Sequence, residues 1–141
     1  MTLFELFTSE TRDFLISPSG HQVKVDDLGG KTIGLYFAAN WYLKCQQFTP
    51  KLAGVYTQLM EEQAKFEIVF VSSDEDQSSC DAFYGKMPWL AVPFSDLQSR
   101  KMLTQKFKIE GFPFYFREDS RVGSRRTSKT CISNYWQAPF N

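Results

Sequence analysis

The sequence predicts an α/β fold in which helices cover both faces of a sheet with parallel central strands. Three observations lead there. The runs Thr32–Ala39 and Phe66–Val71 are apolar at nearly every position, as suits strands buried on both faces. Between them, Phe48, Leu52, Val55, Tyr56, Leu59 and Met60 recur at helical spacing. A later apolar stretch, Phe112 to Phe116, follows Gly111 and carries Pro113 near its start. A β-α-β-α order with a returning strand is the pattern of a three-layer α/β sheet.

The elements follow in order. Phe4 to Phe7 is compatible with a short helix or turn. Asp13 to Ile16 and Gln22 to Val25 flank Ser17-Pro18-Ser19-Gly20, which predicts a β-hairpin. Lys31 to Ala39 is the first buried strand, and the helix runs from Lys44 to Ala64 with Pro50 inside it, where a kink is expected. Phe66 to Val71 is the second buried strand. Asp74, Glu75 and Asp76 then offer acidic N-caps for a helix ending near Tyr84. Met87 to Phe94, with Pro88 and Pro93, is irregular or a short strand. Asp96 to Phe107 is a third helix, and Phe112 to Phe116 the last strand. Beyond it the composition turns polar and basic, with Arg121, Arg125, Arg126 and Lys129, and no period is visible. The expected organisation is an extension over 1–12, a domain over 13–116 and an atypical tail without regular structure over 117–141.

Composition narrows the function. The chain has 141 residues, enough for one domain with a real core, and no net charge. A general attraction to nucleic acid or to a membrane surface is therefore not expected. No run approaches the length of a membrane span. Three cysteines make an odd number and no disulfide framework, which favours a reducing compartment. Met1 to Phe7 lacks a basic start and carries Glu5 within its apolar stretch, so no secretory signal is expected. The expected location is cytoplasmic, with the nucleus as the alternative. No metal-ligand spacing, phosphate-cradling glycine loop or nucleophile elbow occurs, and no cofactor is expected.

An ordered set of segments carries a resemblance. The set comprises the hairpin Phe14 to Val25, Gly34-Leu-Tyr-Phe-Ala-Ala-Asn-Trp41, Cys45-Gln-Gln-Phe-Thr-Pro50, Phe70-Val-Ser-Ser-Asp-Glu-Asp76, Met87-Pro-Trp-Leu-Ala-Val-Pro93 and Ile109-Glu-Gly-Phe-Pro113. Together they resemble the thioredoxin-like superfamily, and within it the nucleoredoxin and tryparedoxin branch, above all its plant nucleoredoxin-type domains. The resemblance covers roughly 13–116. It implies a thioredoxin-like α/β/α domain with an added N-terminal hairpin. It also implies reduction of disulfides in protein or peptide substrates, supplied by a dithiol donor such as a thioredoxin-type system. The chain departs from the pattern twice. Tyr42 stands where the family carries its attacking cysteine, and the C-terminus lacks the look of the family's closing turn, last strand and last helix.

In a Cys-x-x-Cys site the first thiolate, stabilised at a helix N-terminus, attacks a substrate disulfide and the second cysteine resolves the mixed disulfide. Tyr42 cannot make that attack. Cys45 holds the resolving position, where burial raises a thiol's pKa; it is either inert or a slow monothiol. Cys80, after the acidic turn, is expected to be raised by its carboxylate neighbours and to pack, with a Cys45–Cys80 pair as the alternative. Cys131 is expected to be exposed in the tail. The resemblance makes Pro113 a cis-proline facing the site, exposing the Phe112 backbone to an extended substrate; otherwise it simply starts a strand. Trp41 is an apolar lip for a bound peptide or an ordinarily half-buried residue. His21 in the hairpin turn is expected to be solvated, and the basic tract is a solvated tail, with a nuclear signal or phosphorylation site as the alternative.

Overall fold

A computed structural model describes residues 7–107 and the backbone of 114–119 and 127–131. The hairpin forms as expected, β1 (Phe14–Ile16) against β2 (Gln22–Lys24). Gly20 closes its turn at a φ of 86°, a conformation that costs glycine little. A 3-10 turn, Val25–Leu28, leads to β3 (Thr32–Ala38). Helix α1 (Leu43–Glu61) runs through Pro50, β4 (Phe66–Ser72) follows, and α2 (Gln77–Tyr84) is next. β5 (Leu90–Ala91) is short, α3 spans Leu97–Lys106, and β6 (Phe114–Asp119) and β7 (Thr127–Cys131) close the order.

The seven strands lie in the order β2-β1-β5-β4-β3-β6-β7. β3, β4 and β5 run parallel, while β1 and β6 flank them antiparallel. The parallel centre explains the unbroken apolar runs of the sequence: all seven residues of β4 are buried. Alternation along β3 and β4 divides their side chains between two cores. Tyr36, Ala38, Ile68 and Phe70 pack with Cys45, Phe48, Leu52 and Tyr56 of α1 and with Cys80 and Phe83 of α2. Ile33, Leu35, Phe37, Val69 and Val71 pack on the opposite face with Leu103 and Phe107 at the end of α3 and with Phe7, Val25 and Leu28. That is the predicted three-layer, thioredoxin-like architecture.

Two boundaries differ from the sequence reading. Phe7 and Arg12, in the expected extension, are buried, and Phe7 packs in the domain's second core. At the other end β6 continues to Asp119, and β7 pairs with it antiparallel, Phe114 opposite Cys131 and Glu118 opposite Thr127. A strand therefore lies where the sequence predicted none. Thr, Ser and Lys in β7 gave no apolar alternation to reveal it, because an edge strand needs little burial to pair.

Candidate functional site

The site lies where β3 ends and the chain turns through Asn40–Tyr42 into α1. β6 starts at the same end of the sheet, with Phe114 opposite Phe37. Tyr42 is the N-cap residue of α1, extended at φ −100° and ψ 117°, and it places no side-chain cap on the helix. Its carbonyl accepts from the Cys45 N–H at 2.9 Å and the Gln46 N–H at 3.3 Å. The first-turn amides, and the positive end of the helix dipole, thus face this loop without a neutralising side chain from the cap. Trp41 is 63% exposed, with its ring stacked on Tyr42 at 5.6 Å and 8°. Tyr42 is half-buried and leans on the α1 core.

Cys45, three residues into the helix region, points inward and is fully buried. Burial pushes its thiol up to about 11; an Ala39 backbone hydrogen bond opposes the rise and the Asp74 carboxylate adds to it. The Thr49 hydroxyl donates to the Cys45 carbonyl at 2.8 Å and also meets the Tyr36 hydroxyl at 2.8 Å. These bonds fix the first turn of α1 from below.

Cys80 is buried in the same core and is free, as is Cys45, so the alternative pairing of the two is not formed. Its thiol is also raised, but burial, not the acidic neighbours expected from sequence, is the largest cause. A Ser72 hydrogen bond opposes it, Asp74 and Asp81 add to it, and Arg100 offsets them. Cys131 closes β7 on the backbone.

The acidic run does not act as one helix cap. Only Asp76 caps α2, accepting from the Ser79 N–H at 2.7 Å. Asp74 turns the other way and is 5% exposed. It accepts from the Asn40 N–H at 2.8 Å and from the Ser72 hydroxyl at 3.1 Å. Trp41, Asp74, Glu75, Asp76 and Ser79 line one cleft beside the loop. A second, of about 330 Å³, lies between Ser72–Asp74 and the Leu97–Gln105 side of α3. Sequence reasoning missed Asp74 because three consecutive acidic positions all look like caps; only its place directly after a strand end distinguished it.

Phe112 and Pro113 lie outside the described residues, as do Arg121, Arg125 and Arg126. His21 is exposed in the hairpin turn, with its Nδ1 2.8 Å from the Ser19 hydroxyl. Among the described residues no group of His, Cys, Asp and Glu could hold a metal ion, and no helix is long and apolar enough to cross a membrane.

Residues 29–116 match the thioredoxin-like family. Over 99 residues the chain is 54% identical to a probable nucleoredoxin 2 of Oryza sativa subsp. japonica, covering 70% of this chain and 25% of that protein. It is 44% identical over 100 residues to the tryparedoxin of Trypanosoma brucei brucei, covering 70% of this chain and 67% of that one. The solved structure of a Trypanosoma brucei tryparedoxin superposes with a TM-score of 0.84 at 32% identity, over 99% of this chain and 94% of that one. The chain therefore spans about a quarter of the nucleoredoxin's length and nearly all of the tryparedoxin structure.

Proposed function

We propose that this chain, which belongs to the thioredoxin-like family, is a nucleoredoxin-like member of the protein-disulfide oxidoreductases whose dithiol exchange is absent or weak. The observation that carries this reading is the pair Tyr42 and Cys45 at the start of α1. Full exchange needs two thiols: a thiolate at the helix start opens the substrate disulfide, releasing one substrate thiolate and forming a mixed disulfide. A second thiolate then displaces the other substrate sulfur, leaving the pair oxidised and the substrate reduced by two electrons. A phenol occupies the attacking position and forms no mixed disulfide. The remaining thiol is fully buried and raised to about 11, so it is overwhelmingly protonated at neutral pH and a poor nucleophile. Cys45 is at most a slow monothiol.

The surroundings are otherwise suited to such chemistry. The N-terminus of α1 carries no side-chain cap and would stabilise a thiolate placed at residue 42. In this reading Trp41 forms the apolar lip of a groove for extended protein or peptide substrates, and Phe112 and Pro113 keep the substrate-pairing role that the family resemblance implies. A dithiol donor would supply electrons in the cytoplasm or nucleus.

The exposed Trp41, stacked on Tyr42, favours a second reading. The same groove would bind peptides or partner proteins without catalysis. Reduction of a protein disulfide under a fixed dithiol supply separates the two. The native chain is expected to be silent or slow, and Tyr42→Cys active. Native activity that disappears in Cys45→Ser would make Cys45 a working monothiol. Silence of a folded Tyr42→Cys would overturn the oxidoreductase reading.

A further inference from the structure

We propose that Asp74 is a positioning residue: its ionised carboxylate holds the Asn40 backbone and thereby sets the orientation of Trp41, so that protonating Asp74 loosens the site loop. The proposal rests on the reading of Trp41 as the lip of the groove. Its ground is the geometry around Asn40. The Asn40 N–H donates to one Asp74 carboxylate oxygen at 2.8 Å, and the Asn40 carbonyl accepts from the side-chain amide of Gln46 on α1. Asn40, the residue before Trp41, is thus gripped through its N–H by the end of β4 and through its carbonyl by the first turns of α1.

The β4 side of the grip is rigid. The second Asp74 oxygen accepts from the Ser72 hydroxyl at 3.1 Å, and that hydroxyl accepts from the Asp74 N–H at 3.0 Å. The Ser73 N–H donates to the Ala38 carbonyl at 2.9 Å, extending the β3–β4 ladder by one step. Asp74 is therefore bolted to the sheet, while Asn40–Trp41 is bolted to Asp74. A charge-assisted bond of this kind is about twice as strong as its neutral counterpart. Losing the charge leaves a weaker acceptor in the same place.

The charged and titratable groups that act on Asp74 come from every element around it. Cys45 faces it from α1, Cys80 and the capping Asp76 from α2, and Arg100 from α3. Burial is the largest influence and raises the carboxyl above the usual range; bonds from Asn40, Ser72 and the Trp41 backbone pull it down, and Asp76 pushes it up. Because the native value lies above the unfolded one, the folded chain binds this proton more readily. Acidification through that range adds stability from this group while it weakens the grip on Asn40. Protonation of Asp74 therefore loosens the loop without itself destabilising the fold.

The test is amide hydrogen exchange by NMR, expressed as protection factors and compared between native chain, Asp74→Asn and Ser72→Ala, with far-ultraviolet circular dichroism as the control for folding. In the native chain, protection at Asn40 and Trp41 should fall roughly tenfold on acidification, with a midpoint above the ordinary aspartate range, and the Trp41 indole resonance should move with it. Asp74→Asn should remain at the loosened value at all pH. Ser72→Ala, which keeps the Asn40 bond, should shift the midpoint upward. Equal protection at neutral pH in native chain and Asp74→Asn would overturn the proposal, as would an unchanged transition in Asp74→Asn. If Asp74→Asn does not fold, an unmoved midpoint in Ser72→Ala would overturn it alone. Tyr42→Cys reports separately on the oxidoreductase reading. An active Tyr42→Cys with no loop transition defeats only the positioning role; a silent one with the transition intact defeats only the reading of the site.

Discussion

At the start of α3, Asp96 accepts from the Ser99 N–H at 3.0 Å and from the Ser99 hydroxyl at 2.9 Å. Arg12, 7% exposed, meets the same carboxylate at 3.0 Å. At the start of α1, Tyr42 offers no side-chain acceptor, and an exposed tryptophan stacks beside it. The two helix starts differ in what neutralises their dipoles. The α3 end is satisfied and charged, its half-buried carboxylate tied to the buried Arg12. The α1 end keeps its electrostatic field available to whatever sits at residue 42. A helix start left open, where the other described α-helices are capped by aspartate, is what singles out this loop as the candidate site.

The largest effect should come from breaking the closed end. Arg12 donates through one guanidinium to Asp96, to Ser99 and to the Phe7 and Phe14 carbonyls, the last two at 2.7 Å each. Arg12→Ala leaves a half-buried carboxylate with its Ser99 bonds alone and two carbonyls without these donors. It should cost about 2–3 kcal/mol, read as a fall in the urea midpoint, whereas Trp41→Ala at the open end should change it little. Comparable losses from the two would erase the distinction.

Asp96 gives the next effect, and it is pH-dependent. Burial raises its carboxyl, but the Ser99 bonds and Arg12 outweigh burial and hold it below the usual range. Its contribution is therefore present above the unfolded value near ~3.9 and is lost as pH falls through the native one. Asp96→Asn should lower stability by about 1–2 kcal/mol at pH 7 and flatten this acid limb. Glu67 works with the opposite sign. Buried in β4 and accepting from the Tyr56 hydroxyl at 2.8 Å, it is raised chiefly by burial, so its native state gains stability as pH falls. Urea midpoints of native chain and Asp96→Asn at neutral and acid pH check the assignment; an acid limb unchanged by the substitution would reject it.

The sequence was most legible where burial writes a period. The unbroken runs in β3 and β4, the helical spacing of Phe48, Leu52 and Tyr56, and the hairpin turn at Ser17–Gly20 each correspond to an observed element. The cap of α2 lay within the acidic run Asp74–Asp76 that the sequence offered for it, since a cap is local. What escaped was non-local. Arg12 reaches Asp96 across 84 positions, and Asp74 bonds back to Asn40 across 34; neither leaves a mark in a sequence window. β7 escaped because its pairing uses backbone groups rather than apolar side chains.

The smallest expected effect is the most direct probe of the open end, and it needs no redox chemistry. Tyr42→Asp would place a carboxylate at the N-cap of α1, where Asp76 and Asp96 stand on the other two helices. Removing Tyr42 itself loses its packing on the α1 core, so the proper reference is Tyr42→Ala. Relative to that reference, Tyr42→Asp should gain about 1 kcal/mol in urea denaturation at low salt and less as salt screens the dipole. The gain should vanish when the aspartate is protonated. A salt- and pH-dependent gain means that this helix start stabilises an anion, which is the physical requirement for a thiolate at the same position. No gain over Tyr42→Ala would mean that the amides are already satisfied, and Tyr42→Cys would then be a cysteine with an ordinary, sluggish thiol.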